Sequence, residues 1–312
     1  MSPVATNAGP TNAESAFVEC EAITRREAKN FAYGIRLLRP PERQALSAVY
    51  ALARRIDDIG DGDDAPEQKL DGLAAVRKQL ATIAGGGAGD LLAAAAGGGE
   101  AGDPVLTAIA EVDRRYHLPM GAFDELIEGC EMDVTGTPYR TIDDLVGYCR
   151  RVAGSIGRLS LAVFGTTDEP AAVPLADDLG VALQLTNILR DVLEDQARGR
   201  VYLPSDDAEA VGCPPDLVGD PAAVARLVAF EGQRAREWFD RGLQLLPLLD
   251  RRSQACVGAM AGIYFRLLRR IQSDPAAVTR GRVSVPAWEK LWVAGSSLAG
   301  GRPATGTAGG RR

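Results

Sequence analysis

Apolar residues recur three and four positions apart along most of the chain, and no convincing strand-like alternation interrupts them. From Ser15 to about residue 37 the run AFVECEAITRREAKNFAYGIRLL keeps this helical period behind an acidic first turn. Pro40–Pro41 breaks it, and Pro41 with Glu42 is well placed to open a second helix over about 41–57. Gly60 and Gly62 are expected to interrupt that helix at once. Further helices are predicted near 66–84, 104–115, 119–132, 141–163, 170–195, 221–248 and 251–273.

The segment AGGGAGDLLAAAAGGGEAGDP reads as a flexible surface loop around one short Ala-rich turn. YLPSDDAEAVGCPPDLVGDP reads as an ordered loop, and the tail GSSLAGGRPATGTAGGRR is too poor in apolar residues to fold. The expectation is an all-α protein: one helical domain over 15–294, with disordered tails at 1–14 and 295–312.

Two acidic motifs stand out because each sits in or behind a strongly apolar helical run. Asp57–Asp58–x–x–Asp61 closes LSAVYALARRIDDIGD, and Asn187–x–x–x–Asp191–x–x–x–Asp195 lies within VALQLTNILRDVLEDQ. Residues four apart share a helix face, so Asp57 pairs with Asp61, and Asn187, Asp191 and Asp195 form a ladder. Most acidic pairs of this kind are solvated and neutralised by a nearby Arg, and Arg54, Arg55 and Arg190 are at hand. A carboxylate cluster turned toward a core is different, because it is costly without a metal or other partner. Two such clusters facing each other suit Mg²⁺, which takes oxygen ligands and shares its shell with water and phosphates. They point to a diphosphate substrate.

Composition narrows the picture further. A net charge of −7 argues against a nucleic-acid surface. It would also repel a diphosphate unless bound cations inverted the local field. Five scattered cysteines without a C-x-x-C pair suggest reduced thiols and a cytoplasmic setting, and the single histidine, His117, cannot build a zinc site. The first residues lack the features of a signal peptide, and no apolar run spans a bilayer.

The two motif regions carry a family resemblance. NFAYGIRLLRPPERQALSAVYALARRIDDIGDG and LGVALQLTNILRDVLEDQARGRVYLP resemble the two signatures of the squalene/phytoene synthase family. YCRRVAGSIGRLS resembles its middle helix, and IYFRLLRRI with GRVSVPAWEKLW its C-terminal part. The likeness covers roughly 17–293, and RIDDIGDG looks most similar to bacterial hopanoid-pathway presqualene diphosphate synthases.

The resemblance implies a single large helical bundle around a central cavity, the isoprenoid synthase type, with the acidic motifs at one end. It implies Mg²⁺ held by Asp57 and Asp61 on one wall and by Asn187, Asp191 and Asp195 on the other. Arg54, Gln184 and Arg190 then match positions that contact diphosphate oxygens, and Tyr148 matches a tyrosine near the reacting carbons. Arg198 and Arg200 fall where a loop folds over the diphosphate, or are solvated loop charges; Ala153, Gly154 and Gly157 keep the middle helix slim, for a prenyl chain or for close helix packing; and Tyr264 faces either the cavity or, as favoured, the core. One departure is Ala32 in Lys29–Asn30–Phe31–Ala32–Tyr33, where many members carry hydroxyl side chains that bind diphosphate.

The implied reaction is head-to-head condensation of two farnesyl diphosphates to presqualene diphosphate. The alternatives are phytoene synthesis from geranylgeranyl diphosphate, or squalene synthesis with an added NADPH step. A non-catalytic helical assembly protein should have lost carboxylates from one ladder, and all five metal-facing positions are intact in this chain. The greasy substrate implies loose peripheral contact with the inner membrane face and with downstream pathway enzymes.

Overall fold

The computed structural model describes residues 12–28, 30–87 and 103–301. Every regular element among them is helical. In chain order these are α1 (Asn12–Glu27), α2 (Phe31–Ile35), α3 (Pro40–Asp61), α4 (Pro66–Thr82), α5 (Pro104–Tyr116) and α6 (Gly121–Thr135). Then come α7 (Ile142–Cys149), α8 (Ser155–Phe164), α9 (Glu169–Ala197), α10 (Ser205–Ala210), α11 (Pro221–Gly242), α12 (Arg251–Ser273) and α13 (Ala287–Leu298). Helix starts follow local chemistry. Asp103, Thr141, Asp168, Asp220 and Asp250 each accept a backbone N–H at the head of a helix.

The departures from the expected pattern have physical causes. The first predicted helix is two, because α2 is docked onto α12. A Cβ on Gly34 would come 2.7 Å from the Cys256 carbonyl oxygen and from Met260 Cγ. Gly60 does not end α3, which continues to Asp61. Instead its bare backbone faces the Cβ of Cys130 on α6, and Asp57 and Asp61 stay on one unbroken helix.

The predicted 141–163 helix carries a π-turn at Arg150–Gly154, where α9 crosses it so closely that Gly180 has no room for a side chain. The last turns of 221–248 tighten to 3₁₀ geometry around Pro247. The expected loop after the second motif contains α10. Residues 12–14 belong to α1 and residues 295–298 to α13, although both stretches were expected in the tails. Residues 1–11 and 302–312 of the expected tails, and 88–102 of the Gly-rich segment, lie outside the described residues.

Two apolar cores hold the bundle. One gathers α1 and α3–α6 around Leu52, Ile56, Ile109 and Phe123; the other gathers α7 and α9–α12 around Leu145, Leu185, Leu227 and Phe239. Phe31, Val152 and Phe164 touch both. The seam between the cores is where α3 and α9 bring the acidic motifs together.

One buried acid lies away from that seam. Glu231 on α11 is 1% exposed, accepts from Arg234 at 2.7 Å through Oε1, and has no hydrogen-bond partner for Oε2. Burial pushes its carboxyl up to about 7 against Arg234, which pulls it down. The folded protein therefore holds a proton on Glu231 that the unfolded chain releases near its ordinary value of 4.5. Stability from this group is present at low pH and is lost as pH rises between those values. Glu231→Gln should flatten that loss and leave the variant more stable than wild type at pH 8 but not at pH 4, as read by urea denaturation.

Candidate active site

Eleven of the residues singled out from the sequence, Arg198 and Arg200 among them, line one polar cavity of about 430 Å³. Arg54, Asp57 and Asp61 come from α3; Gln184, Asn187, Arg190, Asp191 and Asp195 from α9; Tyr148 from α7. A second, largely apolar cavity of about 320 Å³ continues from it. Arg54, Asp57, Val152, Gln184 and Asn187 border both, so the two form one space with a charged mouth and a greasy interior. Phe31, Tyr50, Ile156, Phe164, Leu183 and Met260 line the apolar part with Ala153, Gly157 and Gly180, and the two glycines turn their bare faces to the backbone of the crossing helix, so they serve close packing.

Arginines bridge the mouth. Arg200, from the loop after α9, donates to Asp61 at 2.6 Å, and Arg198 lies 3.9 Å from the same carboxylate. The chain that follows the second ladder thus reaches across to the first. Arg190 donates to its neighbour Asp191 at 2.7 Å, and Arg282 reaches Asp191 at 3.0 Å and Glu194 at 3.6 Å. Arg54 pairs with Asp58 at 2.5 Å, yet its Nε is buried without a partner. Arg55 turns away and donates to Asp103 at the head of α5, 2.9 Å distant.

Other charges stay uncompensated. Among the described residues Asp57 and Asp195 have no ion-pair partner within 4.0 Å, and the Cys130 thiol beside Asp57 is a weak donor at 3.8 Å. Burial, then Asp61, pushes the Asp57 carboxyl up to about 7; burial, then Asp191, does the same to Asp195. Asp57 exposes part of its surface, but that part faces the cavity while protein surrounds the rest.

The donor set fits a hard divalent cation. Asn187 Oδ1 is buried without a hydrogen bond. Among the described residues no group of three or more His, Cys, Asp or Glu is close enough to hold a metal alone. Each ladder offers one or two carboxylates, and water with a bound diphosphate would complete the shell, the arrangement Mg²⁺ favours.

Behind the mouth lies a network that the sequence did not suggest. Tyr148 and Tyr202 each donate to Asp133, at 2.8 Å to Oδ2 and Oδ1; their rings stack on each other at 5.2 Å, and Tyr139 stacks on Tyr202 at 5.8 Å and lies tilted to Tyr148 at 5.4 Å. Asp133 was legible in one respect: α6 buries Phe123, Leu126, Ile127 and Cys130, and Asp133 is the next position on that stripe. Burial raises its carboxyl, and the two phenols pull it back. Tyr148→Phe should cost about 1 kcal/mol. Asp133→Ala should cost about 1–3 kcal/mol, because it strands two buried hydroxyls. Urea denaturation of both variants checks the order.

Other expected residues lie elsewhere. Tyr264 is buried beside Phe31, with ring centroids 5.9 Å apart, as expected of a core residue. Ala32 lines a separate small pocket with Arg25, Arg36 and Arg43, and neither it nor Asn30 borders the polar cavity. Lys29 lies outside the described residues.

Comparison with known proteins settles the family. The model of the squalene/phytoene synthase family matches residues 24–289. The chain belongs to the squalene/phytoene synthase family. Within it, this chain is 45% identical to a phytoene synthase of Mycobacterium tuberculosis, covering 93% of this chain and 92% of that one. It is 33% identical to a phytoene synthase of Arthrospira platensis, with 90% and 92% covered. Among solved structures it resembles a dehydrosqualene synthase, with a TM-score of 0.79, 26% identity, and 92% and 96% coverage. It also resembles the squalene synthase HpnC from Alicyclobacillus acidocaldarius, with a TM-score of 0.72, 30% identity, and 85% and 95% coverage. Membership of this prenyltransferase-type family accords with a mouth built for charge and an interior built for hydrocarbon.

Proposed function

We propose that this protein joins two molecules of geranylgeranyl diphosphate head to head, giving phytoene. The observation that carries the reaction class is the continuity of the charged and apolar cavities through Asp57 and Asn187. An allylic diphosphate has that same polarity along its length. The twenty-carbon chain is favoured by the extent of identity to the mycobacterial phytoene synthase. A second reading, two farnesyl diphosphates condensed to presqualene diphosphate, is favoured by the likeness to the dehydrosqualene synthase and to HpnC.

The residues divide the work by position. Arg54, Arg190, Arg198, Arg200 and Arg282 present guanidinium donors to diphosphate oxygens, a geometry that arginine matches and that keeps its charge. Asp57, Asp61, Asn187, Asp191 and Asp195 would hold Mg²⁺. Bound there, Mg²⁺ would neutralise the leaving diphosphate as its carbon–oxygen bond breaks. The apolar walls keep water from the allylic cation, and the faces of Phe31 and Tyr50 offer it π density. The double bond of the second substrate attacks that cation, and loss of a proton closes a cyclopropane. A second ionisation with rearrangement, ended by proton loss, gives phytoene and needs no reductant.

Incubation with each diphosphate and Mg²⁺, without NADPH, tests the assignment. Phytoene from the twenty-carbon substrate, at a higher kcat/KM than any farnesyl-derived product, is the expected result. Presqualene diphosphate from farnesyl diphosphate, with geranylgeranyl diphosphate unused, would transfer the protein to the second reading.

A further inference from the structure

The C-terminal helix α13 is apolar on two opposite faces. Val293, Ala294 and Ser297 are buried against the bundle, where α13 packs on α12 and α2. At 100° per residue, Trp288, Leu291, Trp292 and Leu298 fall together within an arc of about 120° on the other side. Trp288 is 67% exposed, Leu291 61% and Trp292 59%. Helices with apolar residues all round are normally buried in a larger core or in lipid, and this one has solvent on its outer face.

Charge around the helix selects between occupants. Residues 266–301 hold six Arg and Lys against two acids, Asp274 and Glu289, a net +4 in a protein of −7. Arg266 and Arg270 share the single carboxylate of Glu289, Arg280 pairs with Asp274, and Arg282 turns to the mouth. Arg266 lies 4.7 Å from the Trp292 ring, which places a cation at the edge of the exposed face. Two tryptophans beside an arginine-rich segment match the interfacial region of a bilayer, where amphipathic rings sit at headgroup depth and anionic headgroups attract Arg. In a two-fold pair this face would meet its own positively charged copy, which offers no comparable attraction. Among the described residues no helix is long and apolar enough to cross a membrane, so contact would be made from the surface.

We propose that the outer face of α13, through Trp288, Leu291 and Trp292, docks the protein on an anionic lipid bilayer. The location suits the cavity. The helices beneath α13 line the apolar space from their other sides, α2 through Phe31 and Ile35 and α12 through Val257 and Met260. A bilayer at α13 therefore lies behind the walls of the prenyl-binding region. The proposal rests on this surface and is independent of which prenyl chain is used.

The full chain is mixed with vesicles of equal parts phosphatidylcholine and phosphatidylglycerol, and with phosphatidylcholine alone, then sedimented. Wild type should pellet with the anionic vesicles and much less with the neutral ones. The double variant Trp288→Ser, Leu291→Ser should bind about tenfold more weakly or worse. Circular dichroism checks that the variant is folded. Quenching of wild-type tryptophan emission by brominated lipid gives a reading that needs no variant. Wild type left in the supernatant, equal binding by the double variant, or equal binding to neutral vesicles would overturn the proposal. So would light scattering that shows a lipid-free dimer which the double variant dissolves.

Discussion

Asp57→Asn is expected to lower turnover by about 10²–10³-fold or more while making the metal-free protein more resistant to unfolding. The two effects have one origin. Asp57 sits among protein atoms, next to Asp61, and has no cationic partner within 4.0 Å among the described residues, so its charge opposes folding. An amide of the same shape removes that cost, and with it the charge a divalent cation needs. Asp191→Asn should lower turnover as much but gain no stability. Arg190 and Arg282 already neutralise Asp191, and the substitution takes the paired carboxylate from Arg190 and leaves Arg282 with Glu194 alone. Turnover and thermal unfolding, measured with and without Mg²⁺, separate the two variants. Near-normal turnover in either would remove that residue from the proposed metal site.

Gly180→Ala should damage the fold severely for a change of one methyl group. Its Cβ would come 2.6 Å from the Ala153 carbonyl oxygen and 2.7 Å from the Gly154 nitrogen, both backbone atoms of the π-turn. A side chain can swing aside, but two helices crossing at backbone contact must separate. The expected loss is about 1–3 kcal/mol or more. Activity should fall with it, because Gly180 and Ala153 both line the apolar cavity. Gly295→Ala supplies the contrast. That glycine lies inside α13 with nothing within 4 Å of a new Cβ, so alanine should stabilise by about 0.5–1 kcal/mol. Urea denaturation of the pair gives opposite signs if the contacts are as described.

The acidic ladders were legible because helical spacing alone puts Asp57 with Asp61 and Asn187 with Asp191 and Asp195. That these two faces meet followed from the family resemblance, since nothing in either segment names its partner. Asp133 and Arg282 escaped for the same reason. Each belongs to the site only through contacts distant in sequence, Asp133 with Tyr202 and Arg282 with Asp191. Helix spans were readable where proline or a capping Asp marks the end, as at Asp250 before α12. They failed where tertiary contact decides. Gly60 looked like a breaker in isolation, but against Cys130 it is a close-packed helical residue. Asp58, on the same short motif, is exposed and paired with Arg54, so only part of the first motif belongs to the cavity. Arg54 likewise has both roles, as helix partner and as wall of the mouth.

If the two ladders bind a diphosphate jointly through divalent cations, inorganic pyrophosphate alone should reveal it, whatever the prenyl chain. Calorimetric titration of the full chain with pyrophosphate is the direct test. Binding is predicted with Mg²⁺, none with chelator, and loss of binding in both Asp57→Asn and Asp191→Asn. Equal affinity in the presence of chelator would mean that the arginines at the mouth hold the diphosphate alone, and would contradict a joint metal site.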